Sequence, residues 1–122
     1  MRTILTVDDS TSMRQMVRAT LESAGFGVVE AVDGQEALEL ARNRRVDLVI
    51  SDVNMPRMDG IRLVSELRNL PSYRLTPLLL LTTESGQEKK LEGKRAGATG
   101  WIVKPFNPTQ LIATLNRLLN AA

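Results

Sequence analysis

Leu48-Val49-Ile50-Ser51-Asp52 is an apolar run that stops at a carboxylate, with Val53-Asn54-Met55-Pro56 directly after it. Three other stretches repeat the pattern. Ile4-Leu5-Thr6-Val7 runs into Asp8-Asp9, Leu78-Leu79-Leu80-Leu81 into Thr82, and Trp101-Ile102-Val103 into Lys104-Pro105. Read as neighbouring parallel strands, the four runs put their polar endings on one rim of one sheet. That is the rim where open α/β sheets place ligand sites. It then gathers three carboxylates, a hydroxyl and an ammonium, a set suited to a divalent cation and a phosphoryl group.

Helical periodicity fills the intervals. From Met13, apolar or small residues recur at Met16, Val17, Thr20, Leu21 and Ala24, and Gly25 stands where a C-terminal glycine cap belongs. Val28-Val29 reads as a short second strand. Asp33, with Glu36 three residues on, reads as a capping box for a helix carrying Ala37, Leu38 and Ala41. Asp59-Gly60 opens a helix through Ile61, Val64, Leu67 and Leu70. The stretch Ser85 to Ala96 is helix-like but polar, with Leu91 as its expected apolar anchor. Asn107-Pro108 supplies an N-cap and a proline at the first helical position, ahead of Leu111, Ile112, Leu115, Leu118 and Leu119. Five strands and five helices in strict alternation predict an α/β fold, a doubly wound five-stranded parallel sheet with helices on both faces.

The chain has 122 residues, 43% hydrophobic and 25% charged, which predicts one domain over 1–122 with an ordinary core. A net charge of +2 is too small an excess to argue for nucleic-acid binding, which needs a concentrated basic stripe. With no Cys and no His there is no disulfide, thiol nucleophile, imidazole base or imidazole metal ligand. Serine-protease, zinc-hydrolase and cysteine-nucleophile chemistries are excluded. The N-terminus meets Asp8 too soon for a signal peptide, and no apolar stretch approaches the ~18 residues of a membrane helix. The expectation is a cytoplasmic protein without membrane insertion.

Adjacent carboxylates such as Asp8 and Asp9 repel each other unless a cation is present. With Asp52 they form a hard oxygen site suited to Mg²⁺, although Asp9 or Ser10 can also serve merely to cap the first helix. A carboxylate such as Asp52 can act as a covalent nucleophile and form an aspartyl phosphate, or it can be a strand-end turn residue. Thr82 can donate to a phosphoryl oxygen or be a plain β-former. Lys104 can neutralise phosphoryl charge or be a solvated lysine, and the Lys104-Pro105 bond can be cis.

At these residues the chain resembles the receiver domains of bacterial two-component response regulators, and among them the CheY-like single-domain chemotaxis regulators. The likeness runs from Met1 to about Asn120. It is carried by Val7-Asp8-Asp9-Ser10, by Asp52-Val53-Asn54-Met55-Pro56-Arg57-Met58-Asp59-Gly60, by Leu81-Thr82-Thr83-Glu84, by Ala96-Gly97-Ala98 and by Lys104-Pro105-Phe106. The resemblance implies a flavodoxin-like sheet of order 2-1-3-4-5. It implies that Asp52 is the phosphoacceptor, and that Asp9, Asp52 and the backbone carbonyl of Asn54 bind Mg²⁺ directly, with Asp8 acting through water. Thr82 hydrogen-bonds the phosphoryl group and shifts when it arrives, and Lys104 pairs with a phosphoryl oxygen. Asn54 and Glu84 match positions that tune phosphoryl loss. The implied partners are a histidine kinase (CheA-like), an output protein such as a flagellar motor switch protein, and a phosphatase. The implied state is a monomer. The missing His is consistent, because in this family it belongs to the kinase.

Two residues depart from the family pattern. Trp101 stands at the aromatic switch position, where Tyr, Phe or His is commoner, and Thr83 stands where a small residue is frequent. Trp101 reads equally as a switch residue or as a plain core tryptophan. Lys89, Lys90, Lys94 and Arg95 on the polar helix read either as a solvated face or as a docking surface.

A phosphatase of the haloacid-dehalogenase type also uses an aspartate, Mg²⁺, a threonine and a lysine. It needs a second acid two residues after the nucleophile, where this chain has Asn54. A flavodoxin-like FMN site is disfavoured by Asp8-Asp9, which repel phosphate, and no GxxxxGK[ST] loop is present for a nucleotide. Within the family the alternative is a phosphate sink without an output target. The chain stops after its fifth helix, so output by protein–protein contact is expected.

Overall fold

A computed structural model describes residues 2–83 and 87–120. The elements alternate along the chain as β1 (Thr3–Val7), α1 (Thr11–Ser23), β2 (Gly27–Ala31), α2 (Gly34–Asn43), β3 (Leu48–Asp52) and α3 (Gly60–Arg68). A 3-10 turn (Pro71–Tyr73), β4 (Leu78–Thr82), α4 (Gln87–Ala96), β5 (Gly100–Val103) and α5 (Pro108–Asn120) follow. The strands form one parallel sheet in the order β2-β1-β3-β4-β5, the expected α/β arrangement.

The apolar runs are strands because both faces of the sheet are covered, so residues of both parities must be apolar. Leu5, Val49, Leu78 and Leu80 point to one side, against Ala37, Leu38 and Ala41 of α2 and Leu63, Val64 and Leu67 of α3. Ile4, Leu48, Ile50, Leu79 and Leu81 point to the other, against Val17 and Leu21 of α1 and Leu111 and Leu115 of α5. Burying each such leucine stabilises the fold by roughly 1.5–3 kcal/mol relative to leaving it exposed.

Local signals set the helix starts. Ser10 Oγ accepts the Met13 amide at 3.3 Å, Asp59 Oδ1 the Arg62 amide at 2.8 Å and Asn107 Oδ1 the Gln110 amide at 3.1 Å. Asp33 Oδ1 accepts the Glu36 amide at 2.9 Å, and Glu36 Oε1 reaches back to the Val32 amide at 2.9 Å, completing the box one residue before the cap. Gly25 closes α1 with φ +90 and its amide on the Glu22 carbonyl. The helix expected to run through Leu70 ends earlier, at Arg68. Leu70 precedes Pro71 and is extended, as the proline ring requires.

The apolar anchor expected in α4 is not Leu91, which is 46% exposed. The buried residue of that helix is Gly93. A Cβ there would stand 2.8 Å from Leu80 Cδ1 and 3.4 Å from Trp101 Cζ3, so α4 lies on the sheet through a bare backbone patch. This close approach, with the partly buried Ala96 at the end of the helix, seats α4 on the core.

Candidate functional site

The sheet register aligns the rim. Val7 pairs with Ser51, so Asp8 is level with Asp52, while Thr82 pairs with Val103 and lies one step beyond Leu81, the partner of Asp52. Lys104 follows Val103, and its amide donates to the Thr82 carbonyl at 2.8 Å. The Asp8 amide donates to the Ala31 carbonyl at 3.1 Å, which fixes the β1–α1 turn against β2.

Asp8 is buried and Asp9 exposed. Asp8 Oδ1 accepts the Ser10 amide at 2.9 Å, and Ser10 rather than Asp9 caps α1, which leaves the Asp9 carboxylate available to a ligand. One carboxylate oxygen from each of Asp8, Asp9 and Asp52 lies within 4.8 Å of the others. Lys104 Nζ donates to Asp8 Oδ2 at 3.2 Å and to Asp52 Oδ1 at 3.3 Å. Burial, followed by the like charge of Asp8, holds the Asp52 carboxyl above the usual carboxylate range, and Lys104 partly offsets them. Two buried carboxylates and an exposed third, only partly neutralised by one ammonium, form a donor set that fits a hard divalent cation such as Mg²⁺.

Thr82 is fully buried at the end of β4, and Thr83 beyond it is exposed. Asn54 is exposed in the β3–α3 loop, two residues past Asp52. Glu84 lies outside the described residues, as does Ser85 at the start of the polar stretch. Trp101 is half-buried on β5 against the core that carries α2 and α3. It lines a depression of about 340 Å³ with Lys90, Lys94 and Thr99. The Lys104-Pro105 peptide is cis.

Several residues around the site were not visible in the sequence. Arg14 Nη1 donates to the Asp8 carbonyl at 2.7 Å, and its Nε meets Glu30 Oε1 at 3.2 Å. Arg18, one helical turn on, binds the other oxygen of Glu30 at 2.6 Å. The i, i+4 spacing of Arg14 and Arg18 was the available signal, but their shared partner lies on β2. Arg57 in the β3–α3 loop pairs with the buried Asp33, whose carboxyl is held below the usual range by the Glu36 amide first and by Arg57 as well. Gly60 is a third. A Cβ on it would stand 2.1 Å from the Asp52 carbonyl oxygen.

The family model for the response regulator receiver domain matches residues 4–116. The transcriptional regulatory protein SrrA of Staphylococcus aureus is 36% identical over 116 residues, covering 95% of this chain and 47% of SrrA. The chain thus spans about half the length of the curated relatives it matches. Among solved structures, the chemotaxis protein CheY4 of Vibrio cholerae is 55% identical with a TM-score of 0.93, over 97% of this chain and 98% of that one. The receiver domain of the sensor histidine kinase PA1611 of Pseudomonas aeruginosa, with a magnesium ion coordinated in its active-site cleft, is 28% identical. Its TM-score is 0.92, over 98% of each chain. No described helix is long and apolar enough to cross a membrane.

Proposed function

Because this chain belongs to the response regulator receiver domain family, we propose that it accepts a phosphoryl group from a histidine kinase on Asp52 and signals by protein–protein contact. The observation that carries this reading is the meeting of three carboxylate oxygens within 4.8 Å with an ammonium bridging two of the acids. A carboxylate oxygen of Asp52 attacks phosphorus, the P–N bond to the kinase imidazole breaks, and the leaving imidazole takes up a proton. The product is an acyl phosphate on Asp52. Asp9, Asp52 and the Asn54 carbonyl would hold Mg²⁺, with Asp8 acting through water. The ion supplies positive charge against the carboxylates and the transferred group.

Lys104 has its ammonium at Asp52 Oδ1 already, so little motion brings it to a phosphoryl oxygen attached there. The Thr82 hydroxyl, one register step beyond, donates to another. Transfer then replaces one carboxylate charge by a dianionic group at the rim. The ends of β4 and β5 both lie there, and β5 carries Trp101 beneath Gly93 of α4. The face of α4, β5 and α5 is the output surface in this reading, and Lys90 and Lys94 beside Trp101 give it a positive charge. The 55% identity to a chemotaxis protein over nearly the whole chain supports a flagellar motor switch protein as the target.

The test is intact mass after incubation with Mg²⁺ and acetyl phosphate, with Asp52→Asn as control and Trp101 fluorescence in parallel. A gain of one phosphoryl group on the wild type alone supports the phosphoacceptor, and no gain overturns it. Charge reversal at Lys90 and Lys94 then weakens target binding and spares phosphorylation. Unchanged binding removes this face as the output surface.

A further inference from the structure

The β3–α3 loop holds an unusual backbone at Arg57. Its φ is +66, the one positive φ at a non-glycine residue among the described residues. The Met58 amide donates to the Pro56 carbonyl at 2.7 Å and closes a three-residue turn around it. A γ-turn with positive φ at its centre is the rarer and more strained of the two kinds. Such a conformation persists only where its surroundings over-determine it.

The surroundings here are the β2–α2 junction. The Arg57 guanidinium pairs with Asp33 Oδ2, and the Asp33 side chain is 1% exposed. Asp33 cannot follow a moving loop, because its other oxygen caps α2 through the Glu36 amide. One residue on, the Gly34 amide donates to the Met58 carbonyl at 3.2 Å. A Cβ on Gly34 would stand 2.6 Å from that oxygen, so the approach tolerates no side chain. At the far end of the loop, the Gly60 amide donates to the Val53 carbonyl at 2.9 Å. Asn54 therefore lies in a short span tethered on both sides, by buried Val53 before it and by Arg57 after it.

We propose that the Asp33–Arg57 ion pair is a latch that sets the β3–α3 loop, and with it the Asn54 carbonyl, for the cation, which makes Arg57 a positioning residue. The role toward the cation rests on the phosphoacceptor reading above; the pinning of the loop does not. Through-space electrostatics and the latch differ in sign at Arg57 and agree at Asp33, so the Arg57 variants decide between them. Removing the positive Arg57 would by charge alone strengthen binding of Mg²⁺, and removing the negative Asp33 would weaken it. A broken latch weakens binding in both cases.

The experiment uses Arg57→Gln, Asp33→Asn and the double variant. Asparagine keeps the α2 cap, since its side-chain oxygen also accepts the Glu36 amide. Mg²⁺ affinity is read by calorimetry, and exchange of the Gly34 amide is read by NMR in EDTA. Both single variants raise the Mg²⁺ Kd by roughly tenfold, the range for losing a residue that orients a metal ligand, and the double variant is no weaker than the weaker single. The Gly34 amide exchanges faster in all three. Arg57→Gly, which accepts positive φ without strain, gives the same loss if Arg57→Gln folds poorly. Tighter or unchanged Mg²⁺ binding in the Arg57 variants overturns the positioning role. Unchanged Gly34 exchange overturns the latch itself. A wild type that does not bind Mg²⁺ overturns the phosphoacceptor reading and the role toward the cation, and Gly34 exchange still decides whether the pair pins the loop.

Discussion

The ammonium of Lys104 stands 3.3 Å from Oδ1 of Asp52, and it reaches Oδ2 of Asp8 at 3.2 Å as well. The lysine therefore neutralises the same carboxylates that face the candidate cation site. In the proposed function, ammonium and metal compete for those oxygens until a phosphoryl group gives the lysine a new partner. Lys104→Met keeps the aliphatic stem and removes the charge. Mg²⁺ should bind several-fold more tightly to this variant, while phosphoryl uptake from acetyl phosphate falls by roughly a hundredfold, the usual cost of one lost donor to developing charge. A Mg²⁺ titration alongside intact mass separates the two effects. Equal Mg²⁺ affinity in variant and wild type would show that the ion pairs are incidental.

Asp52 sets a pH dependence whose sign follows from its surroundings. Burial and then Asp8 raise its pKa above the ordinary 3.8, against the opposing pull of Lys104. The folded state thus binds this proton more tightly than the unfolded chain does. Ionised Asp52 costs stability at neutral pH. That cost fades as pH falls through the raised folded value and is gone below the unfolded one. In EDTA, Asp52→Asn should melt several degrees above wild type at neutral pH, and the gap should close on acidification. Saturating Mg²⁺ should narrow the neutral-pH gap by binding wild type better. A variant that melts below wild type at neutral pH in EDTA contradicts the strain assigned to this carboxylate.

The rim was legible because a parallel sheet buried on both faces writes its strands as unbroken apolar runs. Val7, Asp52, Thr82 and Val103 stop such runs within two register steps of one another, so the chemistry could be lined up without knowing any side-chain direction. Caps were legible for a local reason, since Asp33, Asp59 and Asn107 each bind an amide three residues away. The seat of α4 was not legible, because a buried Gly93 adds nothing to a hydrophobic pattern. Tyr73 was missed similarly. Its hydroxyl reaches the Ala41 and Arg44 carbonyls at 2.8 Å, the otherwise unpaired end of α2, from a turn with no periodicity of its own. Arg14 and Arg57 depend on acids 16 and 24 residues away, and nothing local announces those partners.

Gly93 offers a handle on the link between α4 and β5. Glycine within a helix costs roughly 1 kcal/mol relative to alanine, so its presence here has a packing reason. The methyl of an alanine would press on Leu80 Cδ1 at 2.8 Å, a flexible group that can yield. A branched side chain would also meet the Trp101 ring. Gly93→Val should therefore destabilise the protein by about 1–3 kcal/mol in urea unfolding and shift Trp101 emission, whereas Gly93→Ala stays near wild type. Unshifted emission in Gly93→Val would mean that α4 does not rest on the tryptophan.

Gly60 joins the start of α3 to Asp52, the proposed phosphoacceptor. An added Cβ would stand 2.1 Å from the Asp52 carbonyl oxygen and 3.1 Å from Ser51 Oγ. The first neighbour is backbone in a central strand, so no side-chain rotation relieves the clash. The Gly60 amide also holds the Val53 carbonyl at 2.9 Å, and α3 cannot withdraw without breaking that bond. Gly60→Ala should cost about 1–3 kcal/mol of stability despite the better helix propensity of alanine. Displacement of Asp52 relative to Lys104 should slow phosphoryl uptake more than the loss of folded protein explains. Uptake measured per folded molecule, with circular dichroism fixing the folded fraction, makes that distinction. Uptake that follows the folded fraction alone would leave Gly60 a packing residue with no hold on the geometry of the site.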